Sequence, residues 1–258
     1  MLNSVHDLPI GWLIIVVLVG MSIVTVAIYA SVLAVAASTR GPRLQISPGM
    51  LPPMALVFGL LVGSLVAQLW SNAGDARKAV NQEASSLRAV VLLGTSFPGK
   101  PEAAMDAFVR ERIETAARQE WPAMAGQNAS LTVVPKPLAS ALNLAIGLKP
   151  TTIGQQVAQR EIVTSLESAL DARRQRIILS QSTVNWIRWT AVIALALLTL
   201  VGIALVHSDN RRNAAFAMSI FAAAAAVTIV VIATADRPFS GPFRVTPNVL
   251  LQVLPPRT

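Results

Sequence analysis

Four long runs without a formally charged residue constrain this chain more than any other feature. A helix needs roughly 20 apolar residues to cross about 30 Å of hydrocarbon, because it rises about 1.5 Å per residue. Only 13% of the residues are charged, against about 25% in ordinary soluble domains. The runs therefore predict four membrane-spanning helices, at about 9–37, 51–70, 187–206 and 214–235.

The first of these spans has one feature of a signal peptide. Ala34-Val35-Ala36 resembles the small-residue pattern that precedes a cleavage site. However, the apolar stretch is too long for a signal peptide, and the preceding MLNSVHD contains no Lys or Arg. We therefore expect the first span to stay in the protein as a membrane helix.

Most of the charge lies between spans two and three, in a segment whose apolar residues recur every three to four positions. This periodicity predicts amphipathic helices. Pro101 is expected to open one of them and Trp121-Pro122 to close it, while Thr152 is expected to cap a long helix that runs into span three. A short apolar helix is predicted at 138–147, and LTVV at 131–134 is compatible with a short strand.

The predicted fold is therefore all-α, with four transmembrane helices and a helical bundle inserted between spans two and three. We expect three regions. They are a first hairpin at 1–71, an extramembrane bundle at 72–186, and a second hairpin with the C-terminal tail at 187–258.

Tryptophans lie at the predicted ends of the spans. Indole rings prefer the boundary between water and lipid, so we expect an interfacial belt rather than a ligand cage. Its members are Trp12, Trp70, Trp186 and Trp189.

Basic residues give two answers about membrane orientation. The short loops carry Arg40, Arg43, Arg211 and Arg212, which favour a cytoplasmic position for both loops. The bundle and both termini would then share the external side of the cell's inner membrane. Counting the arginines and lysine that flank the bundle reverses this orientation, but the rule is more reliable for short loops.

Small residues form a ridge on span two. Gly59 and Gly63 are four positions apart, and Ala67 continues the same face. Such a ridge lets helix backbones approach closely, either within one subunit or between subunits.

Beyond Arg188 in the first turn of the third, the spans contain no Asp, Glu, Lys, Arg or His, which are the residues that form intramembrane proton relays. A pore lined by hydroxyl and amide side chains stays open as an alternative to hydrogen bonding between helices. The candidate lining residues are Ser22, Thr25, Tyr29, Ser64, Gln68, Thr199 and Thr228.

Enzyme signatures are not found in this sequence. The histidines His6 and His207 are placed at opposite ends of the membrane plan, and no P-loop, nucleophile elbow or zinc motif occurs. Glu111 and Glu114 fit a solvated helix face. We expect no catalytic residue, no metal site, no cofactor and no nucleic-acid partner, since basic and aromatic residues do not interleave.

Five short motifs occur in order along the chain. They are Trp70 with Asp75-Ala76-Arg77, then Glu83-Ala84-Ser85-Ser86-Leu87, Glu120-Trp121, Asp171-Ala172-Arg173-Arg174, and Asp236-Arg237-Pro238-Phe239-Ser240-Gly241. With these motifs the chain resembles the bestrophin-like family of bacterial four-span membrane proteins. The resemblance implies a polytopic membrane protein that is an oligomer and, by distant similarity to the pentameric bestrophins, an anion channel.

The sequence departs from bestrophins after the last motif. Bestrophins carry an acidic cluster there, whereas this chain continues with Pro242-Phe243-Arg244. Calcium gating of the bestrophin kind is therefore not expected.

Two other functions stay open beside the channel. One is a sensor in which the bundle binds a ligand and shifts helices that continue into the bilayer, and the other is a non-transporting assembly protein of the membrane. The expected partners are the lipid bilayer, further copies of the chain and inorganic ions.

The segment after span four is predicted to end the helix and to clamp the tail. Pro238 and Gly241 are typical of a helix stop. Asp236 is expected to pair with Arg77, Arg173 or Arg174, and Phe239 to dock on the base of the bundle. A place at a pore mouth is the alternative for this segment, including Arg237, and for the nearby Asp75 and Glu83.

Overall fold

The computed structural model describes residues 10–38, 47–132, 134–208 and 210–256. It is 81% helical, and none of these residues lies in a β-strand. The all-α prediction is confirmed. The suggested strand LTVV has no strand partner at Leu131, Thr132 or Val134, whereas Val133 falls outside the described residues, as do Arg40, Arg43 and His6.

Nine α-helices follow one another within the described ranges. A 3₁₀ turn, Pro48–Met50, leads into the second, and a π-helical turn, Ala116–Glu120, follows the third. The helices are α1 Ile10–Ser38, α2 Leu51–Gly94, α3 Lys100–Thr115, α4 Trp121–Ala125, α5 Lys136–Gly147, α6 Ile153–Ser180, α7 Trp186–Val206, α8 Arg211–Ala235 and α9 Asn248–Leu251.

Helices α1, α2, α7 and α8 are long and apolar enough to cross a membrane. An apolar stretch of 18 residues in each has a mean hydropathy between 2.1 and 2.7, which is far above that of the chain as a whole, +0.58. The four predicted spans are therefore confirmed as helices. Each end of these helices that the sequence predicted lies within three residues of the observed end.

The chain forms two compact units. The first contains the residues up to Trp70 together with Thr183–Asp236. Within it, α1 packs against α7 and α8, and α2 contributes one face to an apolar core. That core includes Phe58, Leu65, Leu69, Val192, Ala196, Ala225 and Ile232.

The Ser and Thr residues named as candidate pore lining bond within their own helices, whereas the Tyr29 hydroxyl donates to the Arg211 carbonyl of α8 at 3.5 Å. Ser22 donates to the Leu18 carbonyl at 2.8 Å, and Thr25 donates to the Met21 carbonyl at 2.7 Å. The fully buried Thr199 does the same toward Leu195 at 2.7 Å. Since the helix itself satisfies these groups, they need no partner on another helix.

The second unit contains Ser71–Ser182 and the tail from Arg237 onward. Its core joins α2 beyond Trp70 to α3, α5, α6 and the tail. The tail is thus grouped with the inserted bundle, whereas the sequence suggested grouping it with the second hairpin. Buried residues at the centre of this core include Leu87, Ile113, Leu138, Ile162, Leu166 and Phe239.

The prediction that the long bundle helix continues into span three is wrong. Helix α6 ends at Ser180, and α7 begins at Trp186 after a non-helical link. The Asn185 side chain caps α7 by accepting the Ile187 N–H at 3.1 Å. The link is rich in Ser, Thr, Val and Asn, which favour caps and extended backbone over helix. The sensor alternative thereby loses one of its two continuous helical paths.

The prediction that Trp121-Pro122 closes a helix is also wrong. The π turn Ala116–Glu120 joins α3 to α4, so the helical path continues to Ala125. Pro122 has no N–H to donate into the preceding turn, and a widened turn accommodates a missing bond of this kind. The predictions for Pro101 and Thr152 are confirmed, since Pro101 lies in the first turn of α3 and Thr152 caps α6.

Candidate functional site

A buried ion-pair network lies inside the bundle unit. Three helices and the π turn each supply charged side chains to it. The side chains of Glu83, Arg112 and Arg176 have no exposed surface, and those of Arg173 and Glu120 are 9% and 14% exposed. Burial this deep is rare for charged residues and requires pairing.

Arg112 of α3 bridges the two carboxylates. Its Nε and Nη2 atoms donate to Glu83 Oε1 of α2 at 3.1 and 2.6 Å. The same Nη2 atom donates to Glu120 Oε2 in the π turn at 2.9 Å. The guanidinium thus connects α2 to the π turn through its charge-assisted bonds.

Helix α6 closes the network from the other side. Arg176 Nη2 lies 2.7 Å from Glu120 Oε2 and 3.0 Å from Glu83 Oε2. Arg173 Nε donates to Glu120 Oε1 at 2.7 Å. Glu120 therefore receives three arginines, and the π turn that positions it is central to the site.

The network is better suited to fixing one arrangement of helices than to adding stability. Desolvating buried charges costs several kcal/mol per ion, and pairing returns about as much. In the described part of the chain, Arg112 Nη1 and Arg176 Nε and Nη1 have no hydrogen-bond acceptor. Alternative helix registers would leave still more buried charge without a partner.

The surrounding arginines set the ionisation of Glu120. Burial by itself would raise the pKa of this carboxyl, but the hydrogen bond and charge of Arg112, with the charge of Arg176, lower the pKa to about 2. Burial likewise disfavours the charged form of Arg112, yet Glu83 and Glu120 raise its pKa. Glu120 and Arg112 are therefore both charged near neutral pH, whereas burial lowers the pKa of Arg176.

Acidification is expected to destabilise the bundle through Glu120. A carboxyl whose pKa falls from 4.5 to about 2 on folding stabilises the folded state above its unfolded pKa. That contribution, on the order of 3 kcal/mol at neutral pH, disappears as the pH falls from about 5 to about 2. Thermal unfolding of wild type and of Glu120→Gln should therefore differ most near pH 6 and converge in acid.

Glu114→Gln is the matched control for this pH series. Glu114 lies on the same helical path, where its pair with Arg118 is 3.7 Å long and the two side chains are 34% and 78% exposed. The melting temperature of Glu114→Gln should be close to that of wild type at every pH. Parallel curves for wild type and Glu120→Gln would contradict the assigned role of Glu120.

Trp121 connects the network to the tail. The guanidinium carbon of Arg176 lies 4.3 Å from the centroid of the Trp121 ring, which is a cation–π contact. Phe239 meets the same indole edge-on, with centroids 6.1 Å apart and an interplanar angle of 82°. The indole N–H donates to the Val245 carbonyl at 3.0 Å. One aromatic ring thus contacts both α6 and the tail.

A tight loop presents Phe239 to this ring. The Val245 N–H donates to the Pro238 carbonyl at 2.8 Å, which closes the loop. Gly241 within it has φ of 75°, a conformation that side chains other than glycine rarely adopt. Phe239 is 2% exposed, and Arg110 Nη2 donates to the Pro255 carbonyl further along the tail.

Other predicted site residues lie elsewhere. Asp75 pairs with Lys78 at 3.0 Å on an exposed turn of α2, and Arg77 and Arg174 are exposed. Asp236 Oδ1 accepts the Val184 N–H at 2.6 Å, within the membrane unit. Its pairing with Arg77, Arg173 or Arg174 stays a prediction.

The predicted belt and ridge residues are mostly on the surface of the single chain. Trp12, Trp70 and Trp186 are 60 to 70% exposed, and Trp189 is half-buried. A Cβ atom added to Gly59 or Gly63 would meet no atom within 4 Å. The ridge with Ala67 therefore faces outward from the described part of the membrane unit.

Sequence reasoning missed two of the fully buried residues of the network. Arg112 was not singled out from the sequence, although it sits between the buried Val109 and Ile113. Arg176 lies three positions after Arg173, one helical turn along the same face. Within the described residues, no group of three or more acidic or histidine side chains is arranged to hold a metal ion.

A family model described as the Bestrophin-like domain matches residues 16–250. The chain belongs to the bestrophin-like family. The match includes most of the first span of this bestrophin-like chain, all of the other three, the ion-pair network and Phe239. Among curated proteins, no sequence matches this chain. Membership and the spanning helices together show that it is a membrane protein.

Solved structures of a bacterial bestrophin homologue from Klebsiella pneumoniae share the fold. A tryptophan-to-alanine variant is 12% identical and has a TM-score of 0.67, with 92% of this chain and 94% of that chain covered. A leucine-to-threonine variant is 12% identical with a TM-score of 0.68, and 93% of this chain and 96% of that chain are covered. The structure phased from zinc is 13% identical with a TM-score of 0.66, and 93% of this chain and 96% of that chain are covered. At such low identity the likeness establishes the fold alone.

Proposed function

We propose that this bestrophin-like chain assembles into an oligomeric channel of the cell's inner membrane that favours anions. The family supports this proposal, because bestrophin homologues are ion channels. The observation that carries it is the uncovered face of α2 in the membrane unit. The short-loop arginines favour an external bundle and termini, and we adopt that orientation.

The membrane part of α2 has two different faces. One face is packed, with Phe58, Leu65 and Leu69 each at most 9% exposed. The opposite face is open and carries Gly59 and Gly63 together with Leu56, Leu60, Ser64, Ala67 and Gln68. Leu56 and Leu60 are 63% and 65% exposed, so the described residues leave this face without cover.

The composition of this open face suits subunit contact and a pore better than lipid alone. Glycines at i and i+4 allow a neighbouring backbone to approach closely. Ser64 satisfies its own hydroxyl through the Leu61 carbonyl at 2.8 Å, so its oxygen can still accept a hydrogen bond near a pore axis. A ring of leucines beside a few polar groups is a common form of gate.

Charge supports a preference for anions. The formal net charge is +8, and the described spans contain no Asp, Glu, Lys or Arg between their ends. Arginines cluster at the helix ends instead, where they raise the local concentration of anions. These are Arg188, Arg211, Arg212 and Arg237.

Cysteine scanning tests the proposal directly, because the chain contains no cysteine. Single cysteines at Ser64 and Gln68 would be introduced, and the purified oligomer would be reconstituted in planar bilayers. A negatively charged thiosulfonate reagent should lower the chloride current at least about twofold at both positions, because a fixed negative charge in the pore repels anions.

Leu198→Cys is the control, since Leu198 is 57% exposed on a different helix, α7. Its current should not respond to the reagent. The absence of conductance in any salt from a confirmed oligomer would contradict the channel. Equal responses at positions 64 and 198 would contradict the assignment of α2 to the pore.

A further inference from the structure

A groove of about 290 Å³ lies on the bundle unit where the tail crosses α2. Helix α2 contributes Arg77, Val80 and Asn81, which share one face because they are three and four positions apart. The tail lines the groove with Arg244, Val245, Thr246 and Val249. Neither the ion-pair network nor the proposed pore uses any of these side chains.

Two guanidinium groups share this groove without a carboxylate. Within the described part of the bundle unit, Arg77 and Arg244 form no ion pair, and both are exposed. The acidic residue nearest to Arg77 in sequence, Asp75, is already paired with Lys78 at 3.0 Å. Two like charges beside one groove repel each other, and a bound anion relieves that repulsion.

The remaining lining residues suit a phosphate on an apolar body. The Asn81 amide and the Thr246 hydroxyl are hydrogen-bond donors beside the two arginines. Val80 and Val245 are buried and form an apolar floor. Guanidinium groups bind phosphate oxygens through two parallel bonds, which lysine cannot do.

Along α2, the groove residue Arg77 is close in sequence to a residue that prefers lipid headgroups. Arg77 follows Trp70 by about two turns of the uninterrupted helix α2. Indole rings such as that of Trp70 prefer the water–lipid boundary. Next to Arg244, Phe243 is 68% exposed, as expected of a side chain that meets lipid rather than water.

We propose that this groove binds the headgroup phosphate of an anionic phospholipid. The two arginines hold the phosphate, and the valines contact the glycerol. A zwitterionic lipid carries a choline cation, which the same arginines repel, so the site discriminates by headgroup charge. The inference does not depend on the channel proposal, since it concerns different residues and a different ligand.

Binding of short-chain lipids to the purified full chain in detergent tests this inference. Dioctanoyl phosphatidylglycerol should bind about tenfold more tightly than dioctanoyl phosphatidylcholine, as measured by calorimetric titration. The double variant Arg77→Gln/Arg244→Gln should lose about tenfold or more of its affinity for phosphatidylglycerol. Its helical circular dichroism should be unchanged, because both arginines are on the surface.

Arg88→Gln/Arg160→Gln is the matched control. It also removes two positive charges, but from exposed positions elsewhere on the bundle unit. It should bind phosphatidylglycerol like wild type. Equal losses in both double variants would show nonspecific attraction and overturn the site. Glycerol phosphate that binds as tightly as the lipid would overturn the assignment to a lipid source.

Discussion

Arg112→Met should destabilise the bundle by about 3 to 5 kcal/mol, because it leaves buried carboxylates with too few positive partners. Arg112 is fully buried and contributes bonds of 2.6 to 3.1 Å to Glu83 and Glu120. Methionine fills a similar volume without donating a hydrogen bond. Equilibrium unfolding of the detergent-solubilised protein, followed by circular dichroism, measures the change.

The control for this substitution is Arg118→Met on the same helical path. Arg118 is 78% exposed, and its ion pair with Glu114 is 3.7 Å long. An exposed pair contributes about 0 to 1 kcal/mol, so this variant should unfold nearly as wild type does. Similar losses of stability in the two arginine variants would show that burial in the network does not determine the cost of removing an arginine.

Phe239→Ala should cost about 3 to 5 kcal/mol and release the tail from the bundle unit. Phe239 is 2% exposed and packs edge-on against Trp121, so truncation removes apolar burial and leaves a cavity. The tail after Pro238 should also become sensitive to protease. Thermal unfolding and limited proteolysis of the same sample measure both effects.

Phe243→Ala provides an internal comparison four positions further along. Phe243 is 68% exposed, so it has little packing to lose. Its melting temperature and proteolytic pattern should match those of wild type. If the two phenylalanine variants behaved alike, the tail would not be held through the Trp121 contact.

The membrane helices were predictable because their signal is long and one-sided. Each charge-free run is at least about as long as a bilayer requires, and a helix satisfies all of its backbone hydrogen bonds within hydrocarbon. The positions of Pro101 and Thr152 were also predictable, because their chemistry permits few positions in a helix. These features are local, so one sequence contains all the information needed.

The break before α7 and the π turn were missed for a different reason. Helix continuity across 181–185 depends on whether Asn185 caps a new helix or lies within an old one. Its neighbours in sequence do not settle that choice. The π turn adds one residue to a helix without changing composition, and hydrophobic periodicity is too coarse to reveal it.

The ion-pair network was only partly predictable. Family motifs drew attention to Glu83 and Arg173, and to Glu120 beside Trp121. Arg112 and Arg176 were missed because a charged residue in an amphipathic helix is ordinarily solvated. Their burial depends on three helices and the π turn meeting in space, which single-sequence reasoning does not supply.

The π turn also fixes the chain length between two residues of the site. If Ala116–Glu120 formed a regular α-helix with the same number of residues, everything after it would be rotated by about 100° around the helix axis. Trp121 would then turn away from Arg176 and Phe239, which it contacts in the present arrangement. The spacing from Arg112 to Trp121 is thus a countable signature, and a relative one residue shorter there would place its tryptophan through a regular α-helix without a π turn.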